Sequence, residues 1–500
     1  MTIKKLWLNG LLLAAPLGGI TSGVADDFTA PSSSQTPYII PTRPAVYIES
    51  ILTSGDSVNT QRHTAIPYAM VGIPDGLGAF DNDEEKDEDD RDGRDNRHGP
   101  GTFTLLMNHE IDATKLDPFR GIPRDHGFNG AFVSKWIIEK KSLTVLEGED
   151  LMKTVKRWDN ATQSYLPLAG PLSRFCSGDL PALSAFYNKK TRFGYKGRIY
   201  MNGEESGIEG RAFAHFLDGS SFELPSLGKF SWENSVAHPA TGDKTIVVGT
   251  DDGTGGQVYI YSGDKSSSPD DLAAAGLKNG TTYAIKVDGL SLETDATIFT
   301  SGAFSVVNLG DVTALTGAQL EANTVAAGAT SFNRPEDSCW DPSNLKDLYF
   351  VTTASFAGKS RLWRMRFVDP ANPELGGTAT VLLDGTTGPK MMDNITINRR
   401  GKIILQEDVG NQAHIGKIWS YTIATGALEM IAQHDPARFT LGAPGFLTQD
   451  EESSGVIAMD DILGEGWFLL DVQAHYTIAG ELYEGGQLLA MHIPSDKKKK

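Results

Sequence analysis

The sequence predicts an all-β chain, a six-bladed β-propeller with insertions between its blades. Its 500 residues include 54 glycines, and its apolar residues come in short runs, which favours strands joined by many turns. A two-strand pattern also recurs six times, which is typical of a repeat architecture. The competing fold is a two-domain β-sandwich.

The N-terminus has the organisation of an export signal. Two lysines precede the apolar stretch 6–20, and the small residues 23–25 offer a cleavage site. We predict that residues 1–25 are a signal peptide and that the mature protein is periplasmic or secreted. No other segment is long and apolar enough to span a bilayer, so we expect no membrane contact after cleavage.

Residues 26–100 are predicted to form an N-terminal extension ahead of the propeller. The stretch 38–51 is rich in β-formers and should help to seal the last blade. Residues 81–101 carry a dense run of acids without apolar residues, which indicates a solvated loop. The catalytic propeller should then occupy residues 101–495.

Each of the six copies is a strand-like run that ends in polar or acidic residues, followed after a turn by a second run. The first runs begin at positions 102, 198, 244, 347, 402 and 466, so the separations are 96, 46, 103, 55 and 64 residues. The shorter separations suit a four-stranded blade. The longer ones should contain insertions near 139–196 and 265–330, the second with a helix after Thr316.

Acidic residues end several of these runs, in a chain of net charge −19. That charge argues against nucleic acid or an anionic membrane as a partner. Corresponding strand ends face one mouth of a propeller, so the acids should converge and require cations between them. The candidates at strand ends are Asn108, Glu110, Glu204, Glu205, Asp251, Asp252, Glu407 and Asp408.

A second set of candidates lies in the strand before each copy. Arg334-Pro335-Glu336 places a guanidinium, suited to bidentate binding of phosphate, beside a carboxylate that can bind a cation. A surface turn with a salt bridge is the alternative for this segment. The other candidates in this position are Cys176, Glu233 and Asp393.

Taken together, these pieces resemble the PhoX-type alkaline phosphatases, a family of exported six-bladed propellers. The resemblance runs over about residues 100–475. It implies hydrolysis of phosphate esters at two iron and three calcium ions, with Cys176 as an iron ligand and Arg334 holding the phosphate. Glu233 and Glu336 would be metal carboxylates, and the remaining acids, Glu204, Glu205, Asp393, Glu407 and Asp408, would serve calcium.

The chain departs from that family pattern in three places. The Pro-Trp-Gly-Thr run expected after the cysteine is missing, Trp232 stands where a histidine is usual, and the export signal lacks twin arginines. A calcium-dependent lactonase-like hydrolase and a non-catalytic calcium-binding propeller are therefore kept as alternative functions. We expect a monomer that acts on a phosphorylated small molecule.

The two cysteines admit two interpretations. In an exported protein, Cys176 and Cys339 would by default form a disulfide. The resemblance implies instead that Cys176 is a thiolate on iron. We favour metal ligation over the disulfide.

Overall fold

The computed structural model describes residues 28–60, 67–83, 101–116 and 123–495. The predicted signal peptide and most of the predicted acidic loop lie outside these ranges. Strands dominate the described chain. None of the helices in these ranges is long and apolar enough to cross a membrane.

The strands fall into successive blades along the chain. Four N-terminal strands add to blade edges: β1 (Ile39–Pro41), β2 (Tyr47–Thr53), β3 (Ser57–Thr60) and β4 (Tyr68–Ala69). The first blade contains β5 (Pro74–Asp81), β6 (Thr102–His109), β7 (Phe132–Glu139) and β8 (Val145–Asp150). The second contains β9 (Thr154–Asp159), β10 (Ser164–Pro167), β11 (Phe175–Asp179), β14 (Ile199–Glu204), β15 (Ala212–Phe216) and β16 (Ser220–Glu223), with the small hairpin β12 (Tyr187–Asn188) and β13 (Phe193–Gly194) between them.

The third and fourth blades join at their outer edges through β22 and β27. The third contains β17 (Trp232–Ala237), β18 (Lys244–Asp251), β20 (Val258–Asp264), β21 (Thr281–Val287) and β22 (Ser301–Gly310). The fourth contains β24 (Pro335–Trp340), β25 (Asp347–Thr352), β26 (Arg361–Phe367) and β27 (Gly377–Leu383). The short strands β19 (Thr254–Gly256) and β23 (Phe332–Asn333) pair with each other.

The last two blades are made from the C-terminal part of the chain. The fifth contains β28 (Met392–Ile397), β29 (Lys402–Glu407), β30 (Lys417–Thr422) and β31 (Ala427–His434), and the sixth contains β32 (Glu451–Ala458), β33 (Trp467–Thr477) and β34 (Glu484–His492). The α-helices are α1 (Asp271–Ala274), α2 (Gly317–Ala326) and α3 (Pro436–Phe439). Short 3-10 helices span Ala113–Lys115, Leu183–Ala185, Pro225–Leu227 and Pro373–Leu375.

The innermost strands form a closed ring around a central channel. In the described chain β5, β11, β17, β24, β28 and β32 contact one another in this order, and β32 contacts β5. The six copies recognised in the sequence are the next two strands outward, for example β18 and β20 of the third blade. The predicted propeller fold is confirmed, and the ring gives it six blades.

The N-terminal strands belong to this propeller. β2 pairs antiparallel with β34 and completes the sixth blade, as predicted for the stretch 38–51. β5 lies before the boundary that we predicted at residue 101, yet it is an inner strand and pairs with β6 on the other side of that boundary. The propeller therefore includes strands that the sequence analysis assigned to an extension.

The core lies between the blades rather than within one layer. In β18, Val247 packs in the cluster shared with the second blade, whereas Ile246 and Val248 pack in the cluster shared with the fourth. Successive side chains of a strand point to opposite faces, and both faces of a blade are covered. The sequences of such strands are therefore continuous apolar runs rather than alternating apolar and polar residues. Similar clusters fill the other blade interfaces of the described chain.

The predicted helix after Thr316 is confirmed as α2. Thr316 caps this helix, because its hydroxyl accepts a hydrogen bond from the backbone N–H of Gln319 while the Gln319 side-chain oxygen accepts one from the backbone N–H of Thr316. The predicted strand 282–287 is also present, as β21. It is a regular strand of the third blade, so the insertion there is shorter than the sequence indicated.

Candidate metal centre

Each inner strand has a break in its pairing register near its start. In β24, Pro335 pairs with Thr352, but the next pair is Ser338 with Phe350. Similar irregularities occur in the other five inner strands. A bulge redirects the side chains of its residues, and here it brings side chains of different blades together. The second residues of five inner strands are Asp75, Cys176, Glu233, Glu336 and Asp393.

In four blades, the strand beside the inner strand contributes an acidic residue directly after its last pair. Phe175 at the start of β11 pairs with Glu204, so Glu205 is the first residue beyond the ladder. Similar positions follow β6, β18 and β29. These strand ends meet the inner-strand starts at one end of the channel, which we call the channel mouth. The residues directly after β6, β18 and β29 are Glu110, Asp252 and Asp408.

Seven of these side chains form three overlapping groups of metal-ligand type. Within each group the ligand atoms lie within 4.8 Å of one another, and every member is buried. Cys176 is shared by the first and second groups, and Glu233 by the second and third. The groups, which together we call the metal centre, are Asp75, Glu110 and Cys176; Cys176, Glu205 and Glu233; and Glu233, Glu336 and Asp393.

The electrostatics of the metal centre are those of crowded, desolvated acids. Burial raises the pKa of Glu233 well above its usual range, and the neighbouring Glu336 raises it further. The pKa values of Asp75 and Asp393 are raised in the same way, first by burial and then by nearby carboxylates. A bound cation would oppose these shifts and favour the ionised form of the carboxyl groups.

Unsatisfied oxygens in the centre fit a cation as well. Asp393 Oδ1 and Glu336 Oε1 are buried and accept no hydrogen bond from the described residues. Glu336 Oε1 lies 2.9 Å from Arg334 Nη2, but this contact lacks hydrogen-bond geometry. Buried carboxylate oxygens without donors are costly unless something else compensates them. The residues present therefore fit hard cations, which take oxygen ligands.

The thiol of Cys176 lies inside this carboxylate cluster. It is buried and donates a 3.4 Å hydrogen bond to Asp75 Oδ2. Burial raises its pKa well above the usual value, and the neighbouring acids, Asp75 first, add to the effect. Cys176 and Cys339 are both free thiols in the structure. A soft thiolate ligand among carboxylates suits a transition metal better than calcium.

Two arginines cover the acids at the channel mouth. Arg334 forms a bidentate ion pair with Asp252, donating from Nε at 2.8 Å and from Nη2 at 2.9 Å. Its Nη2 also lies 2.9 Å from Glu336. Arg174 donates from Nε to Glu110 at 2.8 Å and from Nη2 to Glu205. Arg334 therefore forms ion pairs, but with acids of the channel mouth, and its binding of phosphate stays a prediction.

Several predicted residues are not brought into the metal centre. Glu204 forms an ion pair with Arg211 at 2.6 Å, and Asp251 accepts a hydrogen bond from the backbone N–H of Ser231. Glu204 and Asp251 pair within the ladder, and the residue after each, Glu205 or Asp252, turns the other way because side chains alternate along a strand.

Glu407, Asp408 and Asn108 have other surroundings. Glu407 is buried against His414 and Trp419, with hydrogen bonds of 2.9 Å to each. Asp408 lies at the channel mouth, where burial and then Glu452 raise its pKa to about 7. Asn108 Nδ2 donates to the backbone oxygen of Cys176 at 2.6 Å, so it positions the strand that carries the thiol.

Sequence reasoning missed Asp75, Glu452 and Arg174. Asp75 is the second residue of the first inner strand and Glu452 of the last, the position that Glu233 and Glu336 occupy in their blades. A repeat alignment that included the inner strands would have found both. Gln473 of β33 donates to Asp75 at 2.9 Å and to Glu110 at 2.8 Å.

Comparisons with known proteins agree with this geometry. Residues 219–381 match the family described as Alkaline phosphatase PhoX. No curated protein sequence matches the chain. Among solved structures, Pseudomonas fluorescens PhoX in complex with vanadate, a transition state analogue, is 11% identical, with 93% of this chain and 97% of that chain covered and a TM-score of 0.63.

Two other solved structures are far less similar. Chaetomium thermophilum Sqt1 bound to the N-terminus of the ribosomal protein L10 is 9% identical over 79% of this chain and 93% of that chain, with a TM-score of 0.29. Zg3597, a family 117 glycoside hydrolase from Zobellia galactanivorans, is 10% identical over 80% and 83%, with a TM-score of 0.28. The family match over residues 219–381 and the shared fold confirm the predicted resemblance to the PhoX-type alkaline phosphatases.

Proposed function

We propose that this chain is a metal-dependent phosphatase that hydrolyses phosphate esters at the channel mouth. The observation that carries the proposal is the set of three overlapping ligand groups, joined through Cys176 and Glu233 and bordered by Arg334. Such a set can hold several cations side by side, and phosphoryl transfer depends on positioning and on neutralising spread negative charge. The similar fold of a PhoX protein that binds vanadate supports the same chemistry.

The proposed cofactors are calcium and iron. Calcium takes six to eight oxygen ligands, so the carboxylates of Glu205, Glu233, Glu336 and Asp393 are its proposed ligands, with Asp408 near by. Iron would take the thiolate of Cys176 together with carboxylates of the groups that share it. When bound, such metals would polarise the phosphoryl group and lower the pKa of a water.

The protein's own residues supply binding and orientation. Arg334 has a planar guanidinium whose Nη1 and Nη2 edge can donate to two phosphate oxygens. Asp252 holds this guanidinium through two hydrogen bonds, so its direction is set before a substrate arrives. Asn108 braces the backbone at Cys176 and Ser177 from behind, with bonds of 2.6 and 3.3 Å. The proposed substrate is a phosphorylated small molecule, and the protein is proposed to be an exported monomer.

The test is release of the alcohol from an aryl phosphate by protein stripped of metal and then supplied with calcium, with and without iron. We expect hydrolysis that depends on added calcium. An aryl ester and a lactone serve as matched substrates without phosphate. Hydrolysis of the lactone alone would favour the lactonase-like alternative, and calcium binding without turnover of any substrate would favour a non-catalytic propeller.

A further inference from the structure

Arg174, the residue before the inner strand of the second blade, resembles Arg334 in its backbone conformation. Arg174 and Arg334 stand immediately ahead of β11 and β24 and share a left-handed backbone conformation, with φ of 51° and 62°. Such φ values are uncommon for residues other than glycine and are often found at functional sites. Met391, ahead of β28, has a φ of 42°. The conformation therefore belongs to the blade entry and does not itself require an arginine.

The contacts of the two arginines are also alike. Each guanidinium uses Nε and Nη2 on carboxylates of the channel mouth, and Nη1 of neither bonds to a described residue. Between them, the carboxylates of Glu205 and Asp252 are neighbours. Arg174 and Arg334 are thus the two ends of one chain of charges, with Glu205 and Asp252 in the middle.

Together the two arginines reach all three ligand groups of the metal centre. Arg174 contacts Glu110 of the first group and Glu205 of the second. Arg334 contacts Glu336 of the third. Cations bound by these carboxylates would weaken their hold on the arginines and release N–H donors toward solvent.

The arginines also form the outer layer of the mouth. The side chain of Arg174 is 40% exposed and that of Arg334 is 28% exposed, whereas Glu110 is 8% and Glu336 is 2% exposed. An anion that enters the channel mouth therefore meets two guanidinium groups before it meets the acids. A phosphate dianion carries enough charge and enough oxygens for both.

We propose that Arg174 is a second phosphate-binding residue, which clamps the phosphoryl group together with Arg334. The proposal rests on the proposed phosphatase function and deepens it. The competing explanation is that Arg174 only neutralises Glu110 and Glu205. In that case its loss should disturb metal binding or folding and leave the affinity of the folded, loaded protein for phosphate unchanged.

The experiment compares Arg174→Lys and Arg174→Gln with the wild type in the metal-loaded protein. Binding of inorganic phosphate is measured by calorimetry, and its inhibition constant by competition with an aryl phosphate. Metal content and melting temperature are measured on the same samples. The matched control is Arg211→Lys, which alters an arginine–glutamate ion pair outside the metal centre.

We expect Arg174→Lys to weaken phosphate binding and to raise KM by about tenfold or more, because a charge-assisted bidentate contact contributes roughly that much. Arg174→Gln should weaken binding further, while the metal content of both variants and the behaviour of Arg211→Lys stay at the wild-type level. Unchanged phosphate affinity, or a loss of metal that fully accounts for the weaker binding, would overturn the proposal. If the wild type hydrolyses the ester and both variants bind phosphate as tightly as the wild type, only the proposed role of Arg174 is wrong. If the wild type neither binds phosphate nor hydrolyses the ester, the proposed phosphatase function is wrong as well.

Discussion

Replacement of Glu233 by glutamine should have opposite effects with and without cations. Glu233 belongs to two of the three ligand groups and is buried among other acids. Ser177 Oγ donates to Glu233 Oε1 at 2.7 Å, and a glutamine oxygen can accept the same bond. In a chelator, Glu233→Gln removes an ionisable group from a crowded acidic cluster, so the melting temperature should stay level or rise.

With calcium present the same substitution should be destabilising relative to the wild type. A cation at a concentration of a hundred times its Kd stabilises the native state by about 2.7 kcal/mol. Because Glu233 contributes to two groups, its loss could remove up to about 5 kcal/mol of this calcium-linked stabilisation. The difference in melting temperature between calcium and chelator should therefore shrink strongly in the variant.

Differential scanning calorimetry in calcium and in chelator measures both effects. The control is Glu204→Gln, which loses a buried carboxylate next to the metal centre that pairs with Arg211 and accepts a hydrogen bond from the backbone N–H of Ser173. Its melting temperature should fall by a similar amount in both buffers. An equal calcium-induced shift for the wild type and Glu233→Gln would refute the assignment of Glu233 as a cation ligand.

Three further predictions concern the arginine, the thiols and a half-buried acid, Asp179. Arg334→Lys keeps the charge but loses the bidentate fork, so kcat/KM for an aryl phosphate should fall by about ten- to a hundredfold with an unchanged melting temperature; full activity would make Arg334 a structural residue. Alkylation under denaturing conditions should modify both Cys176 and Cys339, and a disulfide-linked peptide in the mass spectrum would remove Cys176 as a metal ligand. Burial, with a smaller effect from Asp337, raises the pKa of Asp179 from 3.8 to about 7, so the native state keeps a proton that the unfolded state has lost and stability falls as pH rises through this range. Asp179→Asn should therefore increase the free energy of unfolding at pH 8 but not at pH 4, by up to about 1.4 kcal/mol for each pH unit between the two pKa values. Its melting temperature should rise at pH 8 alone, and equal shifts at both pH values would contradict this.

The fold could be predicted because its signal is carried by strands that are buried on both faces. Runs such as Ile246-Val247-Val248 are long and apolar, and their recurrence reveals the blades. The inner strands are short, interrupted by bulges and rich in polar residues, so they give a weaker signal. The blade boundary at residue 101 was misplaced for this reason, since β5 precedes an acidic segment that separates it from β6 in the sequence.

The metal centre could be predicted by position along the chain but not by the direction of each side chain. In the pairs Glu204-Glu205 and Asp251-Asp252, only the second residue faces the arginines and acids of the channel mouth. That choice depends on the register of β11 and β17 with their neighbours, and the sequence alone does not contain it. Arg174 was missed because its partners, Glu110 and Glu205, come from two different blades.

The most direct test of the account is turnover of an aryl phosphate by metal-free wild type, Glu204→Gln and Glu233→Gln as calcium is added back. The account predicts that activity returns in the wild type and in Glu204→Gln but not in Glu233→Gln, because only Glu233 joins two ligand groups of the metal centre. Full, calcium-independent turnover by Glu233→Gln would contradict a phosphatase site at the channel mouth.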